Sequence, residues 1–142
     1  TILVSEACLI GNGRSLKNNT AGLRLTRIIL ELMEGYIRST AFYTLNANIR
    51  GDSVEEVASL ILAERDLAGL QGPTISRVYS SNDDQWYAVS LIVPKQNLLR
   101  VTDHIRACGG KDIAASKLNY LFKEQSSAYN RLINFQMEDS FA

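Results

Sequence analysis

The stretch Phe42-Tyr43-Thr44-Leu45-Asn46-Ala47-Asn48-Ile49 has a hydrophobic period of two. Its odd-numbered positions are apolar, whereas Thr44, Asn46 and Asn48 share the other face, which predicts a strand with one solvated face. Gly51 ends this strand. The sequence Ser53-Val54-Glu55-Glu56 then matches a capping box, which predicts that a helix begins there.

Downstream of this helix, the chain alternates between strand and helix patterns in four further segments: 74–80, 86–93, 95–107 and 112–118. Gly109-Gly110 is typical of a helix C-terminal cap. From residue 41 the predicted order is strand, helix, strand, strand, helix, strand, which is the split βαβ or ferredoxin-like pattern of an α+β domain. Such an antiparallel sheet carries both helices on one face, and we expect a partner subunit to cover the other.

The segments on either side of this pattern predict additional parts. Residues 1–10 are predicted to form a strand, and a lone strand implies a larger sheet, so we expect the C-terminal part of a longer protein. Thr20 is the expected cap of a long amphipathic helix over 21–39. The predicted organisation is a strand and connector helix over 1–40, a ferredoxin-like domain over 41–120 and a helical tail over 121–142.

Composition excludes several classes of protein. The 142 residues are 46% hydrophobic and 21% charged, and 15 basic side chains balance 15 acidic ones. This balance argues against nucleic-acid binding driven by a basic excess. No apolar run approaches the roughly 18–20 residues that cross a bilayer, so no membrane partner is expected. We therefore expect a soluble protein.

Cysteine and histidine content gives no support for a metal site. Cys8 and Cys108 are far apart, no CxxC occurs, and His104 is the only histidine, which argues against structural zinc. Two isolated cysteines are typical of a reducing compartment, and we expect both to be small buried residues. We expect His104, on a mostly polar helix, to be a solvated surface group.

No nucleophile–base–acid arrangement can be identified in the sequence. Asp83-Asp84 lies in a predicted turn, and Trp86-Tyr87 opens a strand as expected for core or interface residues. The turn Leu70-Gln71-Gly72-Pro73-Thr74 leaves two interpretations open. It is either a plain turn or a site where backbone N–H groups near Gly72 and the hydroxyl of Thr74 hold a small carboxylate.

Three segments in the same order resemble the C-terminal regulatory domain of long-form ATP phosphoribosyltransferase: Gly69–Ser76, Trp86–Ser90 and Ile105–Gly110. Ser5–Ile10 is similar to the last strand of that family's catalytic lobe, and the helix over 21–39 is similar to its connector. The resemblance covers nearly the whole chain.

The resemblance implies an enzyme of histidine biosynthesis. The family is a glycosyltransferase that converts ATP and phosphoribosyl pyrophosphate, with magnesium, to phosphoribosyl-ATP and pyrophosphate. Its ACT-like or PII-like module assembles hexamers and binds histidine as a feedback inhibitor. The implied histidine-binding positions are Leu70, Gly72, Thr74, Asn48, Ala114, Ala115 and Ser116. Among these, Asn48 stands where some members place an acidic residue that contacts the amino group of the ligand.

One departure from the family limits what this chain does alone. The family's phosphate loop, acidic residues followed by Ser/Thr-Gly-x-Thr, does not occur in the sequence. We therefore expect no catalytic residue and no cofactor in this chain, and Mg²⁺ only in the full enzyme. We expect the protein in a reducing compartment, either the cytoplasm or the plastid. Two alternatives stay open: a stand-alone ACT-like or PII-like module that binds a small molecule for signalling, and an assembly domain without a ligand.

Overall fold

A computed structural model describes residues 7–79 and 85–138, which form two units. One unit comprises residues 36–121, and the other combines residues 7–35 with 122–138. The helices of the described residues are α1 (Gly13–Lys17), α2 (Thr20–Ser39), α3 (Val54–Leu62), α4 (Leu98–Ala107) and α5 (Ser127–Glu138). No helix in these ranges is both long and apolar enough to cross a membrane. The predicted division at residues 40 and 120 stays a prediction.

The unit of residues 36–121 contains one antiparallel four-stranded sheet. Its strands are β1 (Phe42–Arg50), β2 (Thr74–Val78), β3 (Trp86–Pro94) and β4 (Lys111–Lys117), in the spatial order β2-β3-β1-β4. With α3 after β1 and α4 after β3, the chain order is βαββαβ. The predicted ferredoxin-like α+β fold is therefore confirmed, with strand bounds within two residues of those predicted.

The hydrophobic core lies between the sheet and the two helices. Leu45 and Ile49 of β1 are fully buried against Val57 of α3 and Ile105 of α4. The facing positions of β3 are also buried, because each odd-numbered residue of β1 pairs with an odd-numbered residue of β3. The predicted apolar face of residues 42–49 is thus the core face, and its polar face points away from both helices.

Local hydrogen bonds explain where the two core helices begin and end. The Glu56 N–H donates to Oγ of Ser53 at 3.1 Å, while the Glu56 carboxylate accepts from the N–H of Asp52 at 2.6 Å. The predicted capping box is therefore present, but the Glu56 carboxylate bonds the N–H of Asp52, one residue before the cap Ser53. At the end of α4, the Gly110 N–H donates to the carbonyl of Ile105 at 2.8 Å, and Gly109 has φ +80°. The C-terminal cap that was predicted from Gly109-Gly110 is therefore present, and its geometry is that of a Schellman motif.

The N-terminal predictions need three corrections. Asn19, not Thr20, caps α2, because its side-chain oxygen accepts the N–H of Gly22 at 2.8 Å. The short helix α1 was not predicted, and it begins where the Asn12 side chain accepts the N–H of Ser15. Of the predicted strand over 1–10, residues 1–6 lie outside the described residues. Residues 7–10 have no regular structure, since no described strand pairs with them.

Two predictions about cysteine and histidine burial are wrong. Cys8 is exposed, and Cys108 is only half-buried. His104 is half-buried, and its Nε2 lies 3.1 Å from the carbonyl oxygen of Ile61 at the end of α3. Because a carbonyl oxygen can only accept, Nε2 carries the proton and His104 joins α4 to α3.

Candidate functional site

The sheet face opposite the helices carries a shallow cavity of about 320 Å³. Short polar side chains form most of its lining: Asn46, Asn48, Thr74, Ser76, Ser90 and Asp112. The remaining lining residues are Ala47, Ala88 and Val89, and the cavity is open to solvent. The face that the sequence predicted to be polar is therefore a surface able to hydrogen-bond a small ligand.

The strand register arranges these side chains in rows across the sheet. Thr74 pairs with Ser90, Ser90 with Asn46, and Asn46 with Ala114. Neighbouring strands lie about 4.8 Å apart, so Thr74 and Ala114 are separated by three spacings, about 14 Å. In the adjacent row, Asn48 pairs with Ala88. The sequence-predicted positions Thr74 and Asn48 thus line one cavity, whereas Ala114 lies at the far edge of the sheet.

The turn before β2 is held against β3 by its backbone. The N–H of Leu70 donates to the carbonyl of Ile92 at 3.0 Å, so this donor is already used within the turn. Gly69 has φ +83°, and a Cβ there would lie 3.1 Å from the same carbonyl. Gly72 has φ +92° with open space beside it. Leu70 and Gly72 therefore stand at the β2 end of the open face, outside the cavity lining.

Strand β4 divides its three predicted positions between the two faces. Ala114 and Ser116 pair with Asn46 and Thr44, which point to the open face. Ala115 pairs with the core residue Leu45 and lies on the helix side. The structure brings the first two to the edge of the open face and leaves Ala115 away from it.

Sequence reasoning missed Asp112. The register shifts between Asn46 and Asn48, which adds one residue to β4 opposite β1, and Asp112 has φ +53°. Its carboxylate oxygen Oδ2 lies 3.4 Å from Nδ2 of Asn48. The available signal was an aspartate, a residue that tolerates left-handed backbone, two residues after the glycine cap of α4 and inside a weak strand.

Neither metal binding nor thiolate chemistry is supported by the described residues. Within 7–79 and 85–138, no three His, Cys, Asp or Glu side chains are grouped so that they could hold a metal ion. Cys108 Sγ lies 3.9 Å from Nε2 of His104. Burial raises the pKa of the Cys108 thiol, and the charge of Glu64 adds to this, so the thiol stays protonated. Asp83-Asp84 lies outside the described residues.

Comparisons with known proteins agree on one family. The family model for HisG, C-terminal domain, matches residues 40–120, nearly the range of the sheet unit. The chain is 35% identical over 136 residues to ATP phosphoribosyltransferase 1, chloroplastic, of Arabidopsis thaliana, covering 93% of this chain and 33% of that protein. It is 31% identical over 121 residues to ATP phosphoribosyltransferase of Paenarthrobacter aurescens, and the match covers 83% of this chain and 38% of that protein.

The extent of these matches defines what they show. The chain spans about a third of the length of the curated relatives that it matches. The family model, in contrast, covers more than half of the chain and includes all four strands of the sheet. This chain therefore belongs to the family of the HisG C-terminal domain, as its resemblance to ATP phosphoribosyltransferase predicted.

Proposed function

We propose that this chain is the regulatory portion of an ATP phosphoribosyltransferase and that it binds histidine on the open face of its sheet. The relatives are ATP phosphoribosyltransferases, which supports the assignment to that enzyme. The match to the C-terminal domain model supports the assignment to its regulatory portion. The observation that carries the binding proposal is the open-face cavity, where Asn48 and Thr74 stand with the hydroxyls of Ser76 and Ser90.

The chemistry of this cavity suits a free amino acid. Serine and threonine hydroxyls both donate and accept, and the Asn48 amide offers two donors and one acceptor oxygen. A zwitterion needs donors for its carboxylate and acceptors for its ammonium, and the imidazole of histidine adds one of each. Ala88 in the floor leaves room for the ligand to approach the sheet.

The distance between the two edges of the sheet supports a further part of the proposal, that several copies of this chain assemble around the ligand. A histidine that contacts both Thr74 and Ala114, about 14 Å apart, takes these contacts from two copies of the sheet. We therefore place the ligand between subunits of a homo-oligomer, a hexamer in the full enzyme. Histidine then inhibits by binding one subunit arrangement more tightly than the other, because only differential affinity shifts such an equilibrium.

We place the glycosyltransferase chemistry elsewhere in the enzyme, in a reducing compartment, cytoplasm or plastid. The proposed reaction of ATP with phosphoribosyl pyrophosphate needs Mg²⁺ and a phosphate-binding loop, and the sequence lacks that loop. The chain expressed alone should form no phosphoribosyl-ATP above the buffer control. Turnover by the isolated chain at a rate comparable to that of the full enzyme would contradict this part.

Calorimetric titration with histidine tests the binding proposal on assembled protein, whose mass is first measured by light scattering. Loss of one direct hydrogen bond in Thr74→Ala should weaken binding about tenfold. Ser59→Ala is the matched control, because Ser59 lies exposed on α3 and its hydroxyl donates to the Glu55 carbonyl of the same helix. Absence of binding at millimolar histidine would refute the sensing role, and unchanged affinity in Thr74→Ala would remove Thr74 from the site.

A further inference from the structure

We propose that the carboxylate of Asp112 binds the ammonium group of the ligand at the β4 end of the open-face cavity. This inference rests on the proposed histidine site and adds a residue that determines its specificity. It makes the cavity selective for ligands with a free α-amino group over anions of the same shape. Neither the family match nor the names of the relatives assigns a role to Asp112.

The first support is the position that the bulge gives to Asp112. The extra residue in β4 and the left-handed backbone at Asp112 bring its side chain over the neighbouring strand, beside Asn48. A bulge changes the direction in which a strand side chain points, and a non-glycine residue with positive φ is a conformation that carries a cost. The bulge therefore positions the Asp112 carboxylate on the open face of the sheet, beside Asn48.

The second support is charge. Of the nine residues that line the cavity, Asp112 is the one with a charged side chain. The adjacent Lys111 has its ammonium over the indole ring of Trp86, 5.3 Å from the centroid. The cavity thus presents a single negative group among neutral hydroxyls and amides, which attracts a cation and repels an anion.

The third support is remaining hydrogen-bonding capacity. The contact from Nδ2 of Asn48 to Oδ2 of Asp112 is 3.4 Å, longer than a well-formed charge-assisted hydrogen bond. An ionised carboxylate has about four acceptor positions, so this one long contact leaves most of them for a ligand. An ammonium bound by Asp112 and by the amide oxygen of Asn48 leaves the rest of the molecule over β3, where Ser90 can donate to its carboxylate.

The test compares two ligands that differ only in the amino group. Histidine and 3-(imidazol-4-yl)propanoate are titrated calorimetrically into the assembled wild-type protein and Asp112→Asn. Loss of a charge-assisted hydrogen bond should weaken histidine binding about tenfold in the variant. Binding of the propanoate, which has no amino group, should stay within about twofold or strengthen, because a negative group is removed.

Two further variants separate recognition from folding. Asp112→Gly removes the carboxylate while favouring positive φ, so it should melt no lower than the wild type and show the same loss for histidine. Asp103→Asn is the charge-matched control on α4 and should bind histidine as the wild type does. Unchanged histidine affinity in Asp112→Asn, or an equal loss for both ligands, overturns the inference and leaves the histidine site standing. A wild-type protein that binds no histidine overturns the site and this inference together.

Discussion

The hydroxyl oxygen of Ser39 lies 3.1 Å from the carbonyl oxygen of Asn119 and 2.7 Å from that of Tyr36. Ser39 ends α2, and Asn119 follows β4, so one side chain joins the segments that enter and leave the sheet. Only 2% of Ser39 is exposed, and water therefore cannot replace the hydroxyl.

Ser39→Ala should lower the free energy of unfolding by about 1–2 kcal/mol, because the hydrogen bonds of a buried hydroxyl are lost. Urea denaturation measures the difference. Thr40→Ala is the neighbouring control: its hydroxyl also bonds a helix carbonyl, that of Ile37, but it is exposed and should change stability by less than about 0.5 kcal/mol. Equal effects of the two substitutions would show that the Ser39–Asn119 contact does not stabilise the unit.

The glycine cap of α4 should tolerate an added methyl group poorly. A Cβ on Gly110 would lie 2.7 Å from the carbonyl oxygen of Ile105, so backbone has to move, and Gly110→Ala should cost about 2 kcal/mol. In Gly72→Ala the added Cβ has open space around it. The positive φ alone should lower the free energy of unfolding by about 1 kcal/mol. Chemical denaturation of both variants checks this order, and a larger loss in Gly72→Ala would contradict it.

The unit of residues 7–35 and 122–138 should lose stability in acid. The hydrogen bond from Ser126 lowers the pKa of Glu34 below its ordinary value of about 4.5, and the N–H of Ala128, 2.9 Å from Oε1, acts in the same direction. A lowered pKa in the folded state means that this contribution is present above pH 4.5 and is lost as the pH falls through the lowered pKa.

Glu34→Gln should therefore melt below the wild type at neutral pH and approach it in acid. Thermal unfolding followed by circular dichroism at both pH values measures the two differences. Glu31→Gln is the control, because Glu31 pairs with Arg27 in an exposed i,i+4 salt bridge of the same helix. A gap between Glu34→Gln and wild type that is the same at both pH values would contradict the assignment.

The two thiols should react at different rates with iodoacetamide near neutral pH. Cys8 is exposed, whereas burial raises the pKa of Cys108 and lowers its thiolate fraction. Mass spectrometry of Cys8→Ser and Cys108→Ser, each keeping one thiol, should show faster modification of Cys8. Faster modification of Cys108 would mean that the end of α3 opens to solvent around it.

The sequence was sufficient to predict the sheet because its signals are local. Alternation in β1, the capping box at Ser53 and the paired glycines at Gly109 each fix backbone geometry through neighbours within a few residues. The helix α2 shows the limit of such patterns. Its apolar stripe was predicted, yet Leu25 within it is 58% exposed, because periodicity identifies a helix face without identifying what packs on it.

The candidate site was only partly predictable for a related reason. Resemblance pointed to Thr74 and Asn48, which line the cavity, and to Ala115, which alternation along β4 turns to the opposite face. Asp112 could not be found in this way. Its position depends on a shift in register between two strands far apart in sequence, and no local pattern in either strand predicts a bulge.

The strand order β2-β3-β1-β4 also constrains how the chain reaches its fold. β1 is the first strand of the sheet to be synthesised, yet Leu45 pairs with Leu91 on one side and with Ala115 on the other. The β2–β3 pair is close in sequence and closes with little loss of entropy, whereas β1 waits for both later partners. On the ribosome, β1 therefore has both backbone edges unpaired until β3 has emerged, and its second edge stays unpaired until β4 follows.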